Sequence, residues 1–271
     1  MATESWVVAG PQIIEIEQLR SLRVQLVAGR VDVVARDEPG ARIEVHDVRG
    51  KPLEISLVDG ELRVGYTSTL SSWESFIDRF VTFRGRDRAD VHVAVPRSIA
   101  VKLGTVSAEG LLAGVQEDAS VSTVSGGLVV DGTHGRLSAN TVSGEIAVRG
   151  HDGDLRLNTV SGDIAASGPL AVVQANSVSG ALTFDVTSGT SSVTAQTVSG
   201  DVTVRLPQGK GVQVKAGSLS GRIVVDGQEY KGGKPGKRHV DLRTGDGACF
   251  LSASTVSGHV TVLRGEGSRV A

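Results

Sequence analysis

A four-residue phrase, Thr-Val-Ser-Gly or a near copy, recurs eight times from residue 105 onward, and its spacing constrains the fold more than any single residue does. The copies begin at Thr105, Thr123, Thr141, Thr159, Ser177, Thr197, Ser218 and Thr255, and their serines step by 18, 18, 18, 18, 20, 21 and 37 residues. A fixed period of this length marks a repeat architecture, in which one unit cannot bury its own apolar face and must stack on the next.

Alignment on the Ser-Gly step exposes the core. Six residues before each Ser stands Val101, Ala119, Leu137, Leu155, Val173, Val193, Val214 or Leu251, and four before it Leu103, Val121, Ala139, Leu157, Ala175, Ala195, Ala216 or Ala253. A second apolar pair follows the Gly in most copies, as in Ile146 and Val148, Ile164 and Ala166, Leu182 and Phe184, Val202 and Val204. Apolar spacing of two is the strand period. Each unit therefore reads as strand, Ser-Gly bend, second strand and a looser return, too short to hold a crossover helix. The sequence predicts an all-β fold, a parallel β-solenoid of roughly 18-residue coils, with equivalent strands about 4.8 Å apart. A constant phase for each residue type weighs against an antiparallel meander. In this reading Gly permits the bend, by positive φ or by leaving out a clashing Cβ, the Ser hydroxyl bonds backbone at the bend, and Asn140, Asn158 and Asn176 form an amide ladder. Which way these polar side chains point is left open.

Composition suits such thin layers. Aromatics make up 3% of the 271 residues, and 35 are Gly, so the core is aliphatic. A formal net charge of -2 removes any global electrostatic case for nucleic acid. The single cysteine, in Ala248-Cys249-Phe250-Leu251, reads as a buried small hydrophobe. The first residues lack a basic stretch leading into an apolar one, and no apolar run approaches the roughly 20 residues of a membrane helix. The expected location is the cytoplasm.

The regularity fails in two places. Residues 1–100 read as irregular N-terminal coils and a cap, with alternation at Val24 and Leu26, Val31 and Val33, Ile43 and Val45, Leu53 and Ile55, Leu62 and Val64. Within them the spacing predicts one short amphipathic helix over 71–83, with Trp73, Phe76, Ile77 and Phe80 on one face and a capping box of Ser71 and Glu74. That helix caps or flanks the solenoid, or else forms a partner or membrane-surface element helped by Arg84 and Arg86. Residues 101–271 hold the regular repeats. There the long interval between Ser220 and Ser257 reads as one degenerate coil with a protruding basic loop at 229–239, carrying Lys231, Lys234, Lys237 and Arg238. The aromatic and basic residues of these two segments are the candidate partner-binding positions.

Chemistry is thinly represented. A nucleophilic Ser is normally unique and needs a base, and nothing singles out one Ser with His134, His151 or His259. The six His are scattered with no metal-ligand spacing. His151-Asp152-Gly153-Asp154 lacks the full calcium nonapeptide pattern and reads as a solvated return loop. Glu145 and Asp163 stand at one phase, one coil apart, but Gly127 and Ala181 interrupt that row, so solvated edge charge is preferred to a glycosidase pair. Gly265-Glu266-Gly267 is not a dinucleotide fingerprint. No catalytic residue, cofactor or metal site is expected.

The Thr-Val-Ser-Gly-Asp/Glu-Ile/Val units at 141–148, 159–166 and 197–204 resemble those of the bacterial putative-adhesin family, a β-solenoid domain of unknown function, over about residues 20–263. The resemblance implies non-catalytic stacked coils and attachment at the cell envelope, and supplies no active-site residues. The expected function is a non-enzymatic scaffold or binding module presenting stacked strand faces to a protein or cell-envelope partner or to a second copy of itself. Alternatives are a self-assembling cytoskeleton-like filament and, far behind, a carbohydrate-active β-helix enzyme.

Overall fold

A computed structural model describes residues 3–66, 87–188, 190, 192–207, 211–230, 238–244 and 249–265. Among these residues every regular element is a strand, and the chain divides into two compact units, 1–135 and 136–271.

The first unit holds β1 (Thr3–Val8), β2 (Gln12–Ile16), β3 (Ser21–Leu26), β4 (Ala28–Arg36), β5 (Ala41–Arg49), β6 (Leu53–Val58), β7 (Glu61–Gly65), β8 (Arg88–Pro96), β9 (Ala100–Thr105), β10 (Glu109–Ala113), β11 (Ala119–Thr123) and β12 (Leu128–Asp131). One of its two sheets runs β1-β6-β7-β3-β9-β11 and the other β2-β5-β8-β4-β10-β12. Coils β3/β4, β9/β10 and β11/β12 stack in parallel, with Val101 paired to Ala119 and Leu112 to Val130. Alternate side chains from both sheets meet in the middle, and the apolar pairs of the N-terminal alternation, from Val24 to Val64, are buried there. Tyr66 is buried with them at 2% exposure, and burial, aided by the charge of Asp87, pushes its phenol up to about 12.

The second unit holds β13 (His134–Thr141), β14 (Ile146–Arg149), β15 (Asp152–Thr159), β16 (Ile164–Gly168), β17 (Leu170–Ser177), β18 (Leu182–Val186), β19 (Ser192–Gln196), β20 (Val202–Pro207), β21 (Val212–Ser218), β22 (Ile223–Val225), β23 (Gln228–Tyr230), β24 (Arg238–Thr244), β25 (Cys249–Thr255) and β26 (Val260–Gly265). Its sheets run β13-β15-β17-β19-β25-β21-β24 and β14-β16-β18-β20-β26-β22-β23. The predicted register holds: Ile146 pairs Ile164, Ile164 pairs Leu182, and Leu157 pairs Ala175. All the predicted inward positions are buried, Leu137, Leu155, Val193, Leu182, Phe184 and Val204 among them, and so is Cys249.

The structure corrects the reading in three respects. First, the coils are not parallel throughout. β1, β6 and β7 pair antiparallel, as do β2, β5 and β8, and at the other extreme β24 runs against β21 and β23 against β22. Second, residues 221–256 do not form one degenerate coil. They supply β22, the antiparallel strands β23 and β24, and β25, which with β26 inserts as a coil between β19/β20 and β21/β22, pairing parallel on both sides. Third, the return at 151–154 is not wholly solvated: His151 is completely buried, its Nε2 donating to the Asp154 carbonyl at 3.2 Å, while Asp152 and Asp154 are exposed. The helix expected over 71–83 lies outside the described residues.

Candidate functional site

The repeated phrase builds one edge of the second unit, and each of its four positions has a separate task. The first residue points inward. Thr159 donates to the Gly162 carbonyl at 2.7 Å and Ser177 to that of Gly180 at 2.8 Å, while Thr197, Ser218 and Thr255 accept the Gly N–H three residues on at 2.8–3.0 Å. A buried hydroxyl thus closes each bend on itself, as a side-chain turn does.

The third residue bonds between coils. Ser161, Ser179 and Ser199 donate both backbone N–H and hydroxyl to the carbonyl of the Val one coil below, Val142, Val160 and Val178 respectively, at 2.8–3.3 Å. The fourth must be Gly because of close approach, not positive φ: a Cβ on Gly180 would collide with the Gly162 carbonyl, 2.7 Å from its carbon. The same collision recurs at Gly162, Gly200, Gly258 and Gly221.

The second residue is the one left over. Val142, Val160, Val178, Val198, Val256 and Leu219 are 36–52% exposed, although apolar. The coil-to-coil hydrogen bonds place them in that spatial order, one above another. At about 4.8 Å per rung they form a straight stripe roughly 24 Å long. In the first unit the equivalent Val106 is 1% exposed.

The position after Gly runs beside this stripe and in the same order reads Glu145, Asp163, Ala181, Asp201, His259 and Arg222, all exposed except the half-buried Ala181. Asp163 accepts the Ala181 N–H at 2.8 Å and Asp201 the His259 N–H at 2.7 Å, each acid capping the coil above. His259 Nδ1 accepts the Arg222 N–H at 2.9 Å, so its ring proton sits on Nε2. The row is acidic at one end and basic at the other. On the far side of the stripe Asn158 donates to Asn140 at 2.9 Å and Asn176 to Asn158 at 3.1 Å, an outward-facing amide ladder.

The first unit carries two other polar features. On its outer face Arg63, Arg23 and Lys102 share one register row. Burial pushes the Glu61 carboxyl up, but the hydrogen bond from Arg63 and the charges of Arg23 and Arg63 outweigh it, holding the group below its ordinary value. An open groove of about 1200 Å³ is lined by Arg20, Arg36 and Arg97. Asp37, Glu38, Glu17 and Asp59 share the lining; Arg97 contacts Asp37 at 2.6 Å and Arg36 lies 3.7 Å from Glu38, so two of the three arginines already face acids. Among the described residues there is no cluster of His, Cys, Asp or Glu able to hold a metal ion.

Residues 23–263 match the model of the Toastrack DUF4097 family. The chain belongs to that family. No curated protein matches the Toastrack chain. Among solved structures it is similar to a putative lipid binding protein from Parabacteroides distasonis, at 12% identity over 94% of this chain and 97% of that one, with a TM-score of 0.52. Putative adhesins from Parabacteroides merdae and Bacteroides fragilis also match at 12% identity, each over 97% of this chain and 96% and 97% of theirs, with TM-scores of 0.44 and 0.38. The likeness to the first establishes a shared fold.

Of the partner-binding positions expected in this Toastrack domain, Trp73, Phe76, Phe80, Arg84, Arg86, Lys231, Lys234 and Lys237 lie outside the described residues. Arg238 opens β24, its backbone opposite Ser218. Glu145 and Asp163 do share a row, and Asp163 serves there as a backbone cap. The valine stripe was missed because Thr-Val-Ser reads as strand alternation continuing into the bend. Its signal was present: an apolar residue flanked on both sides by hydroxyls, at a phase opposite to the core.

Proposed function

We propose that this Toastrack chain is a non-enzymatic binding scaffold that presents the outer faces of its stacked coils to a partner. One observation carries the reading. The polar groups of the motif that resemble catalytic residues, the Thr and Ser hydroxyls and the Asp163 and Asp201 carboxylates, are hydrogen-bonded to backbone groups within and between coils. A nucleophile or general acid needs a partner that takes or gives its proton. Here the partners are carbonyls and amides, which hold the bends in shape and do no proton transfer. The stripe and the ladder beside it face outward with apolar and amide groups, suited to contact rather than turnover.

The reading extends to place. The partner is a protein or a component of the cell envelope, as the family resemblance implies; among the described residues no helix is long and apolar enough to cross a membrane. The enzyme alternative is tested directly by assaying the purified chain on a panel of polysaccharides and acyl esters beside Asp163→Asn and a Ser161→Ala/Ser179→Ala/Ser199→Ala triple variant. The scaffold reading expects no turnover by any of them. Turnover by the native chain that either variant loses would replace it with the enzyme.

A further inference from the structure

We infer that the stripe of Val142, Val160, Val178, Val198, Val256 and Leu219 is the contact surface of a two-fold dimer in which a second copy of the chain lies antiparallel on the first. The inference rests on the scaffold reading and names the partner of that outer face. Its apolar part is plain: six aliphatic side chains, each a third to a half exposed, stand in one unbroken row, whereas the other exposed large hydrophobics among the described residues, Val7, Ile13 and Phe250, stand outside it. The partner and its direction come from the charged row alongside.

In a two-fold interface the same patch meets itself, so each residue faces the one at the mirrored place in the row. If the two stripes run antiparallel about an axis across them, the row beside the stripe meets its own reverse. Glu145 at one end then faces Arg222 at the other, Asp163 faces His259, and Ala181 faces Asp201. Glu145 and Arg222 are opposite in charge, the neutral His259 ring meets Asp163 as a hydrogen-bond donor, no like charges meet, and isology doubles each attraction. His259 suits its place because Nδ1 is held by the Arg222 N–H and Nε2–H is left to donate outward. Asp163 accepts the Ala181 N–H through Oδ1, leaving Oδ2 to receive it. With the stripes parallel the charged row would instead face the neutral row of Asn140, Asn158, Asn176 and Gln196, which offers no such pairing. Rim charges of this kind set direction and specificity more than strength.

The area sets the strength. A strip roughly 24 Å long and a few side chains wide lies at the low end of specific interfaces. The association is therefore weak and concentration-dependent, in the micromolar range.

Sedimentation of the full chain from low-micromolar to submillimolar concentration tests this. The native chain is expected to pass from monomer to dimer, less readily as salt rises. Val178→Glu, and independently Val160→Lys, place a charge in the stripe without touching the core, and should leave circular dichroism and melting unchanged while the chain stays monomeric. Arg222→Glu sets two like-charge pairs against each other and should weaken the dimer roughly tenfold or more, and Glu145→Arg in the same chain should restore it. A native chain that stays monomeric, a dimer indifferent to both stripe variants, a charge swap that fails to rescue, or association that continues beyond the dimer would each overturn the inference. None of these results bears on turnover, so the scaffold reading stands or falls separately.

Discussion

One glycine and one hydroxyl per coil, recurring at steps of about eighteen residues, carry most of what makes the coils stack. At Gly180 the space a Cβ would occupy already holds the Gly162 carbonyl, which is fixed by the Thr159 hydroxyl at 2.7 Å and lies two residues before β16, a strand paired on both sides. Gly180→Ala should therefore cost 3 kcal/mol or more, above the usual range of about 1–3 kcal/mol for overpacking a core. Gly217 lies in the same unit with nothing within 4 Å of an added Cβ and without a positive φ. Gly217→Ala should be neutral or stabilising by up to about 1 kcal/mol, because it only restricts the unfolded chain. Denaturant melts of the two variants side by side check this; equal effects would mean that close approach is not what the motif glycine is for. At this scale the sequence was informative about role and less so about cause. The alignment marked the glycine as a bend residue and allowed both explanations for it, and only the carbonyl of the neighbouring coil distinguishes them. The inward and outward hydroxyls were indistinguishable, since Thr159 and Ser161 are both small, polar and two apart.

Among the elements, the core was legible and the order of the strands was not. Apolar alternation has period two whether a strand pairs parallel or antiparallel, so β5 and β6 looked like coils although they run against their neighbours, while β23 and the start of β24 fell in the segment read as a basic loop. Insertion of β25/β26 left no trace in the motif either, because Thr255-Val256-Ser257-Gly258 fits onto Gly200 below it as well as any other copy. The insertion makes β25 a central strand. Ser252 sits opposite Thr194 on one side and Lys215 on the other. Ser252→Pro should consequently cost about 3 kcal/mol or more, by removing a ladder N–H and clashing within a sheet interior. Glu229→Pro falls in β23, at the edge of its sheet, and should cost much less. If thermal unfolding ranks the two the other way, β25 is not held on both sides.

For the molecule as a whole, repetition sets how stability is distributed. Each coil of the second unit from β13/β14 to β19/β20 touches only the coils above and below it, so stability is approximately a sum of identical rungs and nearest-neighbour contacts. Duplicating one rung, residues 159–176, should give a chain that still folds, with a denaturant m value raised in proportion to the extra buried surface. Loss of cooperative unfolding in that variant would show that the rungs are not interchangeable. The antiparallel strands behave differently. They have no repeat phase to slide along, and they end each sheet with short strands bearing charged residues such as Glu4, Glu15 and Glu229, a common defence against edge-to-edge aggregation.

The acidic-to-basic order of the row from Glu145 to Arg222 has a consequence for how such chains diverge. Because that row reads correctly only against its own reverse, its length is part of its meaning. A descendant that gained a neutral rung near one end would keep its fold and its valines but bring Asp163 and His259 out of step with their counterparts. Such a chain would no longer match its own reverse, and its self-association would fail with no change at any contacting residue.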